Sequence, residues 1–368
     1  MSEPIRVILA GGGTAGHTSP LIATAEQLTA TGPVEILCIG TPKGLETRVI
    51  PDAGLSLALI PPVPLPRKPS RDLIALPLRL RNAVREAKAL LREHRAQVVA
   101  GFGGYVSLPV YLAARAEKIP LVIHEGNVVA GLANKVGARF ADAVVTSFPD
   151  TALPRARQLG LPVRAAIAGL DRDRRRAEAR AHFGLPGEGR VVLVSGGSQG
   201  ARSLNAATTA AIDRLLAAGI SILHVVGPAN LTEDVVPRDN VATTAVYRPV
   251  GYVDDMAQAY SAADVMLGRA GAGTVMETAM IGLPTIFVPL PHGNGEQARN
   301  AEFLIRAEAG LMIADADLTA DVLVDRLTAL LADPQRLRAM SDTCRALVSA
   351  GAAQALADLI RTLAEGEE

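Results

Sequence analysis

Ile5-Arg6-Val7-Ile8-Leu9-Ala10-Gly11-Gly12-Gly13-Thr14-Ala15-Gly16 sets a mostly apolar run directly before a glycine-rich turn. Val191-Val192-Leu193-Val194-Ser195-Gly196-Gly197-Ser198-Gln199-Gly200 repeats the arrangement in the second half of the chain. A short, continuous apolar run predicts a strand buried on both faces, and the turn after it opens a helix. Working outward from the first copy, Val34–Ile39, Leu57–Ile60, Val98–Ala100, Leu121–Ile123 and Ala143–Thr146 read as further strands, with helices over Pro20–Ala30 and Asp72–His94. From the second copy, a helix follows from Ala201, then strands over Ile222–Val226, Val241–Val246, Asp264–Leu267 and Thr285–Val288. Apolar strands alternating with helices predict an α/β fold with a parallel sheet covered on both faces in each half. Two Rossmann-like domains facing a cleft are expected. Between them Arg172–Arg180 reads as a charged connector flanked by Pro162 and Pro186, with the hinge near Pro162–Ala168.

The bulk numbers agree with that division. A chain of 368 residues exceeds one ordinary core. At 49% hydrophobic and 20% charged it is not disordered, and 37 basic against 37 acidic residues give no nucleic-acid signature. The two cysteines, Cys38 and Cys344, lie far apart without a CxxC neighbour, which fits core residues in a reducing compartment. The N-terminal residues lack a signal-peptide layout, and no uncharged apolar stretch approaches ~18 residues, so no bilayer-spanning segment is expected.

A glycine turn between strand and helix lets backbone N–H groups approach an oxyanion, and the helix dipole favours negative charge there. Gly11, Gly13 and Gly16 satisfy GxGxxG, yet the second strand ends Ile39-Gly40-Thr41-Pro42-Lys43 with no carboxylate before Glu46, which argues against a dinucleotide. No Walker-type loop is present. Gly101-Phe102-Gly103-Gly104-Tyr105 and Gly271-Ala272-Gly273-Thr274 are further turns of this kind. Such turns at strand ends in both halves favour a phosphate-bearing ligand.

Longer motifs now become specific: Gly11–Pro20 (GGGTAGHTSP), Gly101–Pro109 (GFGGYVSLP), His124–Lys135 (HEGNVVAGLANK), Gly197–Asn205 (GSQGARSLN), and within Gly251–Asn300 GYVDDMAQAYSAAD, RAGAGTVMETAMIGLP and PLPHGNGEQARNA. In this order, and from Val7 to about Leu363, the chain resembles the MurG family of glycosyltransferases. The resemblance implies a GT-B fold, with an N-terminal acceptor and membrane-binding domain over residues 1–163, a UDP-sugar domain over 164–349, and a last helix of about 350–368 packing back on the first domain. It implies an inverting hexosyltransferase that moves N-acetylglucosamine from UDP-N-acetylglucosamine to the C4 hydroxyl of the N-acetylmuramoyl group of lipid I (undecaprenyl-pyrophosphoryl-N-acetylmuramyl pentapeptide). The products would be lipid II and UDP, in peptidoglycan synthesis and hence in cell shape and division. Departures from the family pattern are Gly126 where Gln is usual, Ala15 where Gly is usual, and Glu296 before Gln297 where some members carry paired Gln.

By the same resemblance, Glu277 would grip the ribose hydroxyls, although Thr274-x-x-Glu277 alone also reads as a capping box. Ala272, Gly273 and Thr274 would present N–H groups to the diphosphate, and Ser198 a hydroxyl, with an N-cap as the alternative for Ser198. Arg164, after Leu161-Pro162-Val163, matches the diphosphate-side arginine; Gln297 matches the reader of the sugar hydroxyls, Asn127 a donor-contacting residue, and Val253 a backbone contact with uracil. Thr14, Ala15 and Gly16 belong to the substrate-binding first turn. Inversion needs a base near the acceptor hydroxyl, and His17 or Glu125 is expected to serve. Asp171-Arg172-Asp173 has the letters of a metal motif but the wrong context, so neither a metal nor a cofactor is expected.

Arg67, Lys68, Arg71, Arg79, Arg81, Arg85, Lys88, Arg92 and Arg95 oppose only Asp72, Glu86 and Glu93, with Leu73, Ile74, Leu76, Leu78 and Leu80 interleaved. A basic surface among apolar side chains suits an anionic membrane, here the cytoplasmic face, held peripherally. Two other classes stay open at this stage: a UDP-sugar epimerase of the same architecture, and a noncatalytic nucleotide-sugar-binding protein.

Overall fold

The computed structural model describes residues 3–64, 72–292 and 295–366. The chain divides into two compact units, the first comprising Met1–Ala165 with Ala350–Glu368 and the second Ala166–Ser349.

The first unit runs β1 (Ile5–Gly11), α1 (Ala15–Thr31), β2 (Val34–Gly40), α2 (Glu46–Asp52), β3 (Ser56–Leu59), α3 (Asp72–Glu93), β4 (Val98–Gly103), α4 (Ser107–Glu117), β5 (Leu121–Glu125), α5 (Leu132–Gly137), β6 (Ala143–Thr146) and the two-residue β7 (Arg157–Gln158). Its sheet has the order β3-β2-β1-β4-β5-β6-β7, and all pairings are parallel. The mostly apolar β1 conceals an alternation. Val7 and Leu9 pack with Leu21 and Leu28 of α1, while Ile8 and Ala10 pack with Leu91 of α3 and Val110 and Tyr111 of α4. Strand order reverses between β1 and β4, so the switch point, where open α/β sheets bind their ligands, lies beyond Gly11 and Gly103.

A short α6 (Ala165–Ala168) crosses the division. The second unit then runs α7 (Arg172–His182), β8 (Arg190–Ser195), α8 (Arg202–Ala217), β9 (Ile220–Val225), β10 (Arg238–Asp239), β11 (Val246–Val250), α9 (Met256–Ala262), β12 (Val265–Gly268), α10 (Ala272–Met280), β13 (Thr285–Phe287), α11 (Glu296–Arg306), β14 (Gly310–Met312), α12 (Ala320–Leu331) and α13 (Pro334–Leu347). The sheet order is β10-β11-β9-β8-β12-β13-β14, with only the β10–β11 pair antiparallel. The reversal here lies between β8 and β12, beyond Ser195 and Gly268.

The final helix, α14 (Ala352–Glu365), belongs to the first unit. Leu356, Ala357 and Ile360 join the core shared by β1 and α1. Full burial of a Leu or Ile side chain stabilises by about 1.5–3 kcal/mol. Arg361 locks the contact by donating to Thr31 Oγ1 (3.0 Å) and to the Gly32 carbonyl (2.9 Å) at the C-terminus of α1.

The α/β expectation with two parallel-sheet units is met, and three local expectations are corrected. Val241–Val246 is not a strand: Asn240 Oδ1 accepts from Ala242 N (3.0 Å) and Thr243 N (3.2 Å), Thr244 has φ 59, and the strand begins only at Val246. Arg172–Arg180 is not a solvated connector but lies within α7. Arg172 donates to the carbonyls of Tyr260 and Gly282, and the Arg180 side chain, 2% exposed, pairs with Asp264 Oδ2 at 3.0 Å. Asp171 caps that helix by accepting from Arg174 N at 3.1 Å. Finally, α1 starts at Ala15 rather than Pro20, so His17 sits on the helix.

Candidate active site

In the first unit the first turn of α1, directly after the glycine turn, carries His17. Its Nδ1 lies 2.8 Å from the Gly12 carbonyl oxygen. A carbonyl can only accept, so Nδ1 holds the proton and, in the neutral ring, Nε2 holds the lone pair. Nε2 faces Gly103, where an added Cβ would come within 3.0 Å of it, and Gly103 has φ 99. Thr14, Ala15 and Gly16 are exposed at the start of α1, which has no side-chain N-cap and no acidic residue in its first turn.

Glu125 is arranged differently. It is 2% exposed, with Oε1 accepting from Asn127 N (2.9 Å) and Oε2 from Gly131 N (2.9 Å) and Asn134 Nδ2 (2.9 Å). These bonds define the loop between β5 and α5, and they occupy the carboxylate that the sequence offers as a second base. Neighbouring His124 is also buried; burial pushes its imidazole down to about 4, against a smaller opposing effect of the Gly160 carbonyl, so it is neutral. Asn127 accepts through its carbonyl from Thr151 Oγ1 at 3.1 Å. Arg164 lies in the first unit and donates from Nε to Glu26 Oε1 at 2.9 Å, with its side chain 53% exposed. Gly126 is in the same loop and packs near Gly16 O and Leu161.

In the second unit, Ser198 is partly exposed in the turn after β8. The N-cap of α8 is Ala201, so Ser198 does not cap it. The turn after β12 leads into α10, whose N-cap Gly271 leaves the first turn, Ala272, Gly273 and Thr274, without a side-chain cap. Thr274 is therefore inside the helix and the capping-box alternative fails. Glu277 instead accepts from the Tyr260 hydroxyl through Oε2 at 2.7 Å, while Oε1 lies near Gly273, 3.7 Å from where a Cβ would stand. The carboxylate thus borders the uncapped turn. Val253 is buried beside exposed Tyr252. Gln297 Oε1 accepts from Leu290 N at 3.0 Å.

Residues 7–146 match the glycosyltransferase family 28 N-terminal domain, and residues 191–360 the family 28 C-terminal domain. The chain is 56% identical over 359 residues to a protein of Cutibacterium acnes, covering 96% of each, and 53% identical to one of Nocardioides sp., covering 98% of this chain and 99% of that one. Both carry the name UDP-N-acetylglucosamine–N-acetylmuramyl-(pentapeptide) pyrophosphoryl-undecaprenol N-acetylglucosamine transferase. The crystal structure of Acinetobacter baumannii MurG superposes with a TM-score of 0.75 at 30% identity, covering 98% of this chain and all of that one. The chain belongs to the MurG branch of glycosyltransferase family 28. The calicheamicin glycosyltransferase CalG4, at 16% identity and TM-score 0.65, shares the fold.

Two residues of this family-28 chain escaped assignment from sequence. Glu46, fully buried, reaches from the start of α2 to the first glycine turn: Oε2 accepts from Gly13 N (2.7 Å), and Oε1 from Thr41 N (2.9 Å) and Thr41 Oγ1 (2.7 Å). Burial raises its pKa, but these hydrogen bonds together with its own N–H outweigh that and hold the carboxyl below its ordinary range. One N–H of the first turn is therefore engaged by an internal anion. The glycines at 40 and 44 around this glutamate were the available signal. Arg269 leads into the turn before α10 and donates to Asp315 Oδ1 (2.5 Å), Ser203 Oγ (2.9 Å) and the Val288 carbonyl (3.0 Å), pinning that turn to α8 and the end of β13. Its guanidinium could have been suspected from its place beside GAGT.

The surface of α3 divides in two. Lys88 and Arg92 pair with Glu117 at 2.8 and 2.7 Å, whereas Arg79, Arg81 and Arg85 are exposed around Leu78, which is 64% exposed. Arg67, Lys68 and Arg71 lie outside the described residues. No helix among the described residues is long and apolar enough to cross a membrane.

Proposed function

We propose that this chain transfers N-acetylglucosamine from UDP-N-acetylglucosamine to the C4 hydroxyl of the N-acetylmuramoyl group of lipid I, forming lipid II and UDP with inversion. The observation that carries this is the likeness, 56% over 96% of both chains, to a protein named for that reaction. The epimerase and sensor alternatives are not favoured by it.

The second unit supplies the donor half. Ala272, Gly273 and Thr274 offer N–H groups to the diphosphate, assisted by the Ser198 hydroxyl, and Glu277 accepts from the ribose hydroxyls. Val253 contributes its backbone to uracil recognition and Gln297 its amide to the sugar. The first unit supplies the acceptor half. His17 Nε2 takes the proton of the C4 hydroxyl as that oxygen bonds to the anomeric carbon. The bond from that carbon to the UDP oxygen breaks, and its electron pair leaves with UDP. The charge on the departing diphosphate is offset by the start of α10. Asn127 assists on the donor, and Thr14, Ala15 and Gly16 line the acceptor's approach. Arg164 serves the diphosphate by exchanging Glu26 for a phosphate oxygen. Glu125 acts by holding its loop rather than as the base.

Attachment to the cytoplasmic face of the membrane is part of the same reading, supported by exposed Leu78 among Arg79, Arg81 and Arg85. The test of the activity is UDP release by purified protein with lipid I present or omitted. Release that needs lipid I supports the transfer; release without it, or none in a folded preparation that binds UDP-N-acetylglucosamine, rejects it.

A further inference from the structure

Glu46 and His17 hold opposite ends of one peptide group. The Gly12 carbonyl and the Gly13 N–H belong to the same planar unit. The carbonyl accepts from His17 Nδ1 at 2.8 Å, and the N–H donates to Glu46 Oε2 at 2.7 Å. A carboxylate on the N–H side increases the peptide's polarisation and makes its carbonyl a stronger acceptor. An imidazole that donates through Nδ1 to such a carbonyl is fixed in orientation and tautomer.

The surroundings hold the carboxylate and the peptide in place. A Cβ on Gly12, Gly40 or Gly44 would lie 2.3, 2.5 or 1.9 Å from an atom of the Glu46 side chain, so glycines make the space the carboxylate fills. On the other side, a Cβ on Gly104 would lie 2.4 Å from the Gly12 oxygen, so the next glycine turn packs directly on the peptide. Thr41 engages Oε1 twice, which leaves Oε2 directed at Gly13.

We propose that Glu46 is a positioning residue for the transfer: acting through the Gly12–Gly13 peptide, it keeps the His17 proton on Nδ1 and presents the Nε2 lone pair to the acceptor hydroxyl. The inference rests on His17 being the base. A latch between α2 and the first turn would need the same hydrogen bonds but would not act through His17, and kinetics separates the two.

Glu46→Gln keeps the shape while setting an amide N–H2 against the N–H of Gly13 or of Thr41. Steady-state kinetics with UDP-N-acetylglucosamine and lipid I should show kcat reduced about tenfold or more, the scale of impaired general-base catalysis, with KM for the donor within about twofold. In a His17→Ala background the same substitution should produce no further loss. If Glu46→Gln leaves kcat unchanged, raises the donor KM in proportion, or multiplies the His17→Ala defect, Glu46 is a latch and the inference is overturned while the base assignment stands. If His17→Ala itself retains wild-type kcat, the base assignment falls and takes the inference with it. Should Glu46→Gln not fold, Glu46→Asp, which keeps the charge but shortens its reach to Gly13 N, takes its place: lowered kcat with the donor KM unchanged and no further loss in the His17→Ala background supports the inference, and unchanged kcat overturns it.

Discussion

The Tyr260 hydroxyl donates to Glu277 Oε2 at 2.7 Å, so the carboxylate beside the uncapped start of α10 is held by a residue of α9. Burial, followed by the charge of Glu277 and the hydrogen bond to it, pushes the phenol well above its ordinary range, and it remains a donor across neutral pH. Hydrogen bonds to a charged group are worth about 1.5–3 kcal/mol. Glu277→Ala should therefore weaken UDP-N-acetylglucosamine binding about tenfold or more. Tyr260→Phe should act in the same direction but less, with kcat nearly unchanged. Calorimetric titration of the donor checks both; unchanged affinity in Glu277→Ala removes its ribose role.

His17→Ala should lower kcat by about 10²–10⁴-fold, the usual worth of a general base, while leaving donor affinity near that of wild type. Stopped turnover and equilibrium binding measured on one preparation separate these effects. Loss of binding with preserved turnover would reassign the residue.

Glu125→Ala should act first on stability. It leaves the N–H groups of Asn127 and Gly131 and the Asn134 amide without their carboxylate, at a cost on the order of 3 kcal/mol. Urea unfolding reads this directly. A variant with full stability and abolished kcat would return Glu125 to the place of the base.

Stability should also fall on acidification. Burial pushes His124 and His224 each down to about 4 in the folded protein, against 6.5 for an unperturbed imidazole. Between those values the unfolded chain binds protons that the folded chain does not, so unfolding free energy declines as pH drops from about 6.5 to about 4 and levels off below that range. His224→Gln should reduce the slope in this window by one proton's contribution. A slope unchanged in that variant would show that His224 titrates normally in the fold.

Arg79, Arg81 and Arg85 replaced together by Glu should weaken co-sedimentation with anionic phospholipid vesicles and leave binding to neutral vesicles as it was, since each basic residue near such a surface contributes about 1 kcal/mol. Equal loss on both vesicle types, or none, would dissociate α3 from the membrane.

Much of the fold was legible because Val7–Ala10 of β1 and Val191–Val194 of β8 are continuous apolar runs leading into glycine turns, and all eight residues are buried. The stretch from Val241 misled because β-branched residues describe what a strand tolerates, whereas the Asn240 side chain supplies a competing turn; the true strand contains Pro249, which argues against itself in sequence. The charge of Arg172 and Arg180 suggested solvent, yet carbonyls and Asp264 satisfy them inside the unit. Site residues within motifs, such as His17 and Glu277, could be named from the sequence. Their partners could not, because Glu46 meets Gly13 across 33 positions and Tyr260 meets Glu277 across 17, and no local pattern records such pairings.

Because α14 completes the core around β1 and α1, the unit made earlier cannot close until a helix made after the second unit has arrived. Through the whole synthesis of the second unit, the apolar places later taken by Leu356 and Ile360 stand open on the nascent chain. A stop codon just after Ser349 would thus leave the second unit whole and injure the first, exposing a sticky groove far from the lesion in sequence.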